Sequence, residues 1–302
     1  MNNAKIRTAV IPAAGLGTRI LPATKVLPKE MLPVADKPLV QFAVEEAAAS
    51  GLETIILVIG PGKNLLAEHF QRDESLENIL LQQRKNAAAE QIRRLSMLAE
   101  VRTVWQETPL GLADAVRCAR PLIDSEPFAV ILPDALIDSE VPCTRQLMDC
   151  YETHPGCVIA TQLVESSEVN RYGILDLTPI RESTPNGKVS RVNSLIERPQ
   201  PKSVSSRYGI FGRYILEPNI FSCIEKTSTG FGGELQLTDA LALCCGQVPV
   251  YACHFAGKHY DAGSKLGFLQ ASIAYALKDP ELEQPLREYL LSLYPTETAT
   301  SS

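Results

Sequence analysis

The side chains with most chemistry to offer crowd one stretch near the start of the chain, Ala13-Ala14-Gly15-Leu16-Gly17-Thr18-Arg19, which Lys29 follows ten residues on. Glycines at 15 and 17 allow backbone geometry closed to other residues, so the chain can turn tightly and aim several N–H groups at one anion. Arg19 adds a planar fork suited to phosphate oxygens, and Lys29 a compact point charge. Together they read as a cradle for a nucleoside triphosphate. A Gly-x-Gly pair also ends many ordinary strands, so the glycines do not carry that reading without the cations. Two better-known phosphate loops are excluded. Ile20 stands where a dinucleotide fingerprint needs its third glycine, Gly60 and Pro61 stand where its acidic residue belongs, and no Gly-Lys-Ser/Thr closes the loop as in a P-loop. Further on, Asp134 ends the apolar run Phe128–Leu132. A carboxylate at the carboxyl end of a parallel strand faces the crevice where open α/β sheets bind ligands, and hard oxygen ligands hold Mg²⁺ while leaving positions for phosphate and water. Asp138, close by, reads as a solvated loop carboxylate.

Regular elements must hold these groups in place. Ala9–Pro12 and Thr54–Ile59 are apolar at consecutive positions, as in strands of a parallel sheet covered on both faces. Between them, Phe42, Val44, Ala47 and Ala48 have helical spacing and the pattern stops at Gly51. Residues 63–98 read as helices, 101–105 as a strand ending at Trp105-Gln106, and Gly111-Leu112 as the turn that opens another helix. Past residue 143 the character changes: a helix over 144–153 and a strand over 157–161 precede alternating patterns at 171–174, 189–196 and 207–215. Leu266–Leu293 is helical, broken near Pro280 and Pro285, and 296–302 is a frayed tail. The expected fold is a doubly wound, mainly parallel (Rossmann-like) α/β sheet with a mixed-sheet part embedded after its first half.

The full pattern from Gly15 to Lys29, Gly-x-Gly-Thr-Arg-x-x-Pro-x-Thr-x-x-x-Pro-Lys, is far more specific than its glycines. It resembles the signature of the sugar-nucleotide pyrophosphorylases, and Pro28-Lys29-Glu30-Met31-Leu32-Pro33 is similar to the bacterial UTP–glucose-1-phosphate uridylyltransferases among them. The resemblance runs from about residue 7 to residue 275. It implies that Gln106 and Gly111 meet the base, which suits an amide with a donor and an acceptor and a glycine that lets backbone approach. Leu132-Pro133-Asp134 resembles the family's metal motif, and Asp261, in Tyr260-Asp261-Ala262-Gly263-Ser264-Lys265-Leu266-Gly267, takes the place of its second Mg²⁺ carboxylate. Tyr172-Gly173 lies where a glycine backbone meets the hexose, and Glu197-Arg198-Pro199 where a glutamate takes sugar hydroxyls and a cation the sugar phosphate. Phe211–Leu216 resembles a structural strand, and Gly230–Ala240 a loop whose Glu234 orients the site from behind.

The activity this resemblance implies is transfer of a uridylyl group from UTP to glucose 1-phosphate, with Mg²⁺ as cofactor and no covalent intermediate. Arg19, Lys29, Asp134 and Arg198 would be catalytic; Ala13, Ala14, Gly15, Gly17, Thr18, Gln106 and Gly111 would bind the nucleotide; Tyr172, Gly173, Glu197 and Arg198 the sugar; Asp134 and Asp261 the metal. One nucleotidyltransferase domain would span 1–295, with a nucleotide half at 7–143, a sugar half at 144–265 and C-terminal helices at 266–295, and a homo-oligomer, dimer or tetramer, is expected. Four positions depart from the pattern. Ala113 and Asp114 replace glycine and histidine of Gly-Leu-Gly-His-Ala, Arg198 replaces lysine, and Ser264 replaces aspartate or asparagine. They keep two alternatives open, a thymidylyltransferase using dTTP and a non-catalytic regulatory paralogue, although Arg19, Lys29, Asp134, Glu197 and Asp261 are all present.

Composition narrows the classes further. With 302 residues, 45% of them hydrophobic, the chain can bury a sizeable core without staples. A formal charge of −6 leaves no basic stripe for nucleic acid or an anionic membrane surface. The N-terminus lacks a signal-peptide core and no stretch reaches transmembrane length, which points to the cytoplasm. The 8 cysteines include no Cys-x-x-Cys pair, so they read as reduced, mostly buried small hydrophobes.

Overall fold

The computed structural model describes residues 5–180 and 188–293, so the expected tail at 296–302 and the end of the C-terminal segment at 294–295 lie outside the described residues. Nine strands form one sheet: β1 Thr8–Ala13, β2 Thr54–Ile59, β3 Glu100–Trp105, β4 Phe128–Ile131, β5 Cys157–Leu163, β6 Gly173–Pro179, β7 Lys188–Glu197, β8 Tyr208–Leu216 and β9 Val250–His254. Their order is β3-β2-β1-β4-β8-β5-β9-β7-β6. The run β3-β2-β1-β4 is wholly parallel, as is β5 with β9, while β8 pairs antiparallel with both β4 and β5, and β7 with both β9 and β6. The mixed part is thus the far end of the same sheet, joined to the parallel part through β8.

The unbroken apolar runs are explained by layers on both faces. Alternate residues of a strand point to opposite sides. Ala9, Ile11, Ile55, Leu57 and Ile59 pack with Val40, Ala43, Val44 and Ala47 of helix Leu39–Ala49 and Leu147 of helix Cys143–Thr153. Val10, Ile56 and Val58 face the other way, with Ala113, Ala115 and Val116 of helix Leu112–Cys118 and Leu237, Ala240 and Leu241 of helix Leu237–Cys244. One ion pair fastens the first layer. Glu46 of helix Leu39–Ala49 accepts from Arg213 of β8 at 2.9 and 2.8 Å and from the Thr144 hydroxyl at 2.6 Å, and Arg213 is only 2% exposed. The strand expected at Phe211–Leu216 therefore also carries a buried cation.

A short antiparallel ribbon of Ala135–Asp138 with Lys258–Asp261 leaves the main sheet, in register Asp261↔Ala135 and Lys258↔Asp138. Asp138 is not a solvated loop carboxylate; it ends a ribbon strand and pairs with Lys278 beyond helix Lys265–Ala276. The C-terminal helices are Lys265–Ala276 and Glu283–Leu293. Their break surrounds Pro280, whereas Pro285 lies in the first turn of the second helix, where a missing N–H costs nothing. Among the described residues no helix is long and apolar enough to cross a membrane.

Candidate active site

The loop leaving β1 is built by local constraints. Gly17 adopts a left-handed conformation (φ 66°), its carbonyl accepts from the Thr24 hydroxyl at 2.8 Å, and a Cβ there would press on Lys29 and Thr24. The base of the loop is pinned from an unforeseen direction. Lys63, from the turn after β2, donates to the carbonyls of Ala13 and Gly15, each at 2.6 Å, and to Glu30 Oε2 at 3.0 Å. Ala13 is thereby a buried strand end whose carbonyl is already used, while Gly17, Thr18 and Arg19 stay towards solvent. Glu30 is fully buried; burial pushes its carboxyl above the usual range against the pull of Lys29 and Lys63.

Lys29 Nζ donates to Asp134 Oδ2 at 2.6 Å. Burial works against both charges, but Asp134 with Glu30 outweighs it for Lys29, and Lys29 with Arg19 outweighs it for Asp134: the Lys29 ammonium is held above its ordinary range and the Asp134 carboxyl below. The ribbon register sets Asp261 beside Asp134, and the Ala262 N–H donates to the Asp134 carbonyl at 2.8 Å. Arg19 bridges the two carboxylates at 3.7 and 3.8 Å. Arg171, which no motif singled out, donates to Asp261 Oδ2 at 3.0 Å. Gly263 leaves space between the two acids: a Cβ there would lie 2.8 Å from Asp134 Oδ2 and 3.2 Å from Asp261 Oδ1. Arg19 Nη2 stands 2.6 Å from the same point, so one small cation could touch both oxygens there once that exposed side chain swings aside. Among the described residues no group of three or more His, Cys, Asp or Glu could hold an ion alone, so further ligands would come from phosphate and water.

From Asp134 a cavity runs past Lys29, Glu30, Ala14 and Gly15 to Gln106, Gly111 and Glu234. At that end Gly111 is irreplaceable: its φ is 118° and a Cβ would stand 2.6 Å from the Leu235 carbonyl oxygen. Gln106 is 4% exposed, and its Nε2 donates to Gly111 O at 3.2 Å and Asp114 Oδ2 at 2.7 Å.

The residues assigned to the sugar form a second group. Gly173 opens β6 beneath Glu197, and a Cβ there would meet Ile210, Glu197 and Thr238 at 2.9, 3.1 and 3.1 Å. Glu197 ends β7 and accepts from Thr238 Oγ1 at 2.6 Å. Tyr172 packs on Phe211, and its carbonyl accepts from the Arg198 N–H at 3.1 Å. Arg198 is left-handed (φ 44°), pairs with Glu197 at 3.3 Å and lies over the Phe231 ring, 5.1 Å from its centroid. Its guanidinium is thus held at the sugar end and is not paired with Asp134 or Asp261. A second cavity, of about 700 Å³, has Asp261, Arg171, Tyr172, Lys258 and His259 in its wall.

A mixed sheet whose first loop, in its parallel part, aims cations at two carboxylates, with an amide and a bare glycine backbone lining the same cavity, has the parts that nucleotidyl transfer requires. Comparison with known proteins agrees. A model of the nucleotidyl transferase family matches residues 8–277. A UTP–glucose-1-phosphate uridylyltransferase of Bacillus subtilis is 44% identical over 294 residues, 97% of each chain. A UTP-bound UDP-glucose pyrophosphorylase from Acinetobacter baumannii superposes with a TM-score of 0.87 at 35% identity, covering 96% of this chain and 100% of that one. A UDP-glucose pyrophosphorylase complexed with UDP-glucose does so with 0.83 at 36% identity, over 91% of this chain and 100% of the other. The chain belongs to the nucleotidyl transferase family, in its UTP–glucose-1-phosphate uridylyltransferase branch.

Proposed function

We propose that the protein transfers a uridylyl group from UTP to glucose 1-phosphate, giving UDP-glucose and pyrophosphate. The observation that carries this reading is the convergence of Lys29, Arg19, Asp134 and Asp261, with Lys29 and Asp134 lining a cavity whose wall also holds Gln106 and Gly111. The curated relatives compared above bear that activity in their names, and their solved counterparts hold UTP and UDP-glucose.

The chain's own residues divide the work. Gly15, Gly17 and Thr18 offer loop N–H groups to the triphosphate, with Ala13 and Ala14 as the strand end that aims them. Gln106 and Gly111 take the base. Glu197 and the Gly173 backbone take hexose hydroxyls beside Tyr172, and Arg198 holds the sugar phosphate. An oxygen of that phosphate attacks the α-phosphorus; the bond to the bridging oxygen of the β-phosphate breaks, and its electron pair leaves with pyrophosphate. Arg19 and Lys29 neutralise the leaving charge, so catalysis is positioning and electrostatics. The gap between Asp134 and Asp261 fits a divalent cation, which we take to be Mg²⁺. When bound it would supply charge neutralisation at the phosphate oxygens. In this reading residues 7–143 serve the nucleotide, 144–265 the sugar and 266–295 complete the same domain. A cytoplasmic homo-oligomer, dimer or tetramer, is the matching expectation, supported by exposed Leu266, Leu269 and Ile273 on helix Lys265–Ala276; light scattering measures its order.

The test is pyrophosphate release with Mg²⁺ and glucose 1-phosphate, run in parallel with UTP and dTTP and with Asp134→Ala as control. Release with UTP, lost in the variant, is expected. Preference for dTTP moves the protein to the thymidylyl branch. Silence with both refutes the reading and turns attention to the regulatory alternative.

A further inference from the structure

At the base end of the cavity, a carboxylate decides how the Gln106 amide lies. Asp114 is 3% exposed, in the first turn of helix Leu112–Cys118. Its Oδ2 accepts from Gln106 Nε2 at 2.7 Å, and its Oδ1 is taken by Arg117 of the next turn. A carboxylate of this kind only accepts, and so does the Gly111 carbonyl, which takes Nε2 at 3.2 Å. Both amide hydrogens are therefore committed to protein, and turning the amide over would set Oε1 against two acceptors in a buried place. What Gln106 has left for a ligand is Oε1.

We propose that Asp114 is a specificity-determining residue: by locking the Gln106 amide it makes the site demand a base with a hydrogen-bond donor facing Oε1. Uracil has that donor at N3, whereas cytosine has a lone pair there. Thymine shares the N3–H, so the lock separates uracil and thymine from cytosine and is indifferent between the first two. This rests on the cavity being the nucleotide site, as argued above. Asp114 acts through Gln106 and is a positioning residue; it touches no reacting atom.

Arg117 sharpens the test. In Asp114→Asn the one remaining oxygen is claimed by Arg117, which can only donate, so the new side-chain NH₂ turns towards Gln106 and favours the opposite amide orientation. The Gly111 carbonyl resists that flip, so the outcome is a mixture of orientations. Equilibrium binding of UTP and of CTP, with Mg²⁺ and no sugar phosphate, reads the consequence by calorimetry without needing turnover. Wild type should bind UTP at least about tenfold more tightly than CTP, and in Asp114→Asn that ratio should fall about tenfold or more, the worth of one buried hydrogen bond made or reversed. In the double variant Gln106→Glu/Asp114→Asn, the residue at 106 has only acceptors, one for the amide introduced at position 114 and one for the base; the first still faces the Gly111 carbonyl, so the preference should return in part. A helix-stabilising role for Asp114 alone would leave the double variant no better than the single one. An Asp114→Asn protein with native circular dichroism that keeps the wild-type ratio, or a double variant whose ratio is no higher than the single variant's, overturns the proposal while leaving the function standing. A wild type that binds neither nucleotide overturns the reading of the cavity and the proposal with it.

Discussion

Gly263→Ala tests the gap between the two acids without removing either. Gly263 does not need a positive φ, so the backbone accepts a side chain, and the whole effect comes from where the methyl lands. It would sit 2.6 Å from Arg19 Nη2, 2.8 Å from Asp134 Oδ2 and 3.2 Å from Asp261 Oδ1. Arg19 is the far end of a half-exposed, flexible side chain and can swing away. Asp134 cannot retreat so cheaply, because the same Oδ2 holds Lys29 at 2.6 Å and the Asp134 carbonyl holds the Ala262 N–H at 2.8 Å. The carboxylate must therefore shift by several tenths of an ångström while the methyl occupies the space between the acids. Misplacement on the order of 1 Å costs about 10²-fold in rate, and a drop in kcat of about that size is expected. The fold should hardly notice, with a loss of about 1 kcal/mol and a Tm lower by about 2 °C. Pyrophosphate release across a Mg²⁺ titration reads the first effect, Mn²⁺ binding followed by electron paramagnetic resonance shows whether the gap has lost its cation, and thermal unfolding reads the last. A variant with kcat within about threefold of wild type at saturating Mg²⁺ would refute the reasoning, since it would show that nothing essential occupies that gap.

Glu46→Gln should cost about 3–5 kcal/mol, because it leaves the Arg213 guanidinium buried without its counter-charge; urea unfolding measures it. The same pair sets an acid limb: burial pushes the Glu46 carboxyl up, but Arg213 outweighs that and holds it below its ordinary 4.5. The folded state then binds the proton less readily than the unfolded one, so the stabilisation is complete above 4.5, is lost as pH falls through the lower folded value, and should be missing from the Gln variant's pH profile. Lys63→Met should cost about 3 kcal/mol or more by taking the hydrogen-bonded cation from the buried Glu30 and leaving it only Lys29 at 4.0 Å, and Glu30→Gln on top should recover part of it in the same unfolding assay. Ser264→Ala should lower stability by about 1 kcal/mol through loss of a helix cap, while Ser264→Asp should leave thermal unfolding unchanged or slightly improved.

Strands β1, β2 and β4 were legible because burial on both faces writes itself as an unbroken apolar run, and the loop after β1 because glycines and cations at fixed spacing have few other uses. Pairing across the sheet was not. That Lys188–Glu197 sits between Val250–His254 and Gly173–Pro179 depends on contacts far apart in sequence, which no local pattern records. The same reason hid Arg171, Thr238 and Arg213, whose partners lie 90, 41 and 167 residues away. Lys63 did leave a signal. Gly60-Pro61-Gly62-Lys63 is a second glycine turn with a cation at the carboxyl end of a parallel strand, and its position beside Gly15 follows once β1 and β2 are neighbours. Pro285 misled because a proline breaks a helix interior and is at ease in a first turn, a distinction that needs the helix boundary itself.

The four departures from the family pattern bear on whether the site is intact. Ser264 accepts from the Gly267 N–H at 3.2 Å and caps helix Lys265–Ala276, the same service a short acid or amide would perform. Ala113 is wholly buried, and its N–H donates to the Leu235 carbonyl at 3.0 Å, so its methyl is packed without a lost hydrogen bond. Arg198 tolerates an unfavourable φ of 44° because Glu197 and the Phe231 ring hold its guanidinium and the Tyr172 carbonyl holds its N–H. Strain of that sort is kept where the surroundings over-determine it, and here the surroundings are the residues assigned to the sugar. Only Asp114 rewires a contact, and it does so by fixing Gln106 more firmly in place. A paralogue released from catalysis would lose the strained Arg198 first, since an unfavourable φ costs stability that substrate binding offsets. Its retention together with Lys29, Asp134 and Asp261 favours a working transferase over a silent partner.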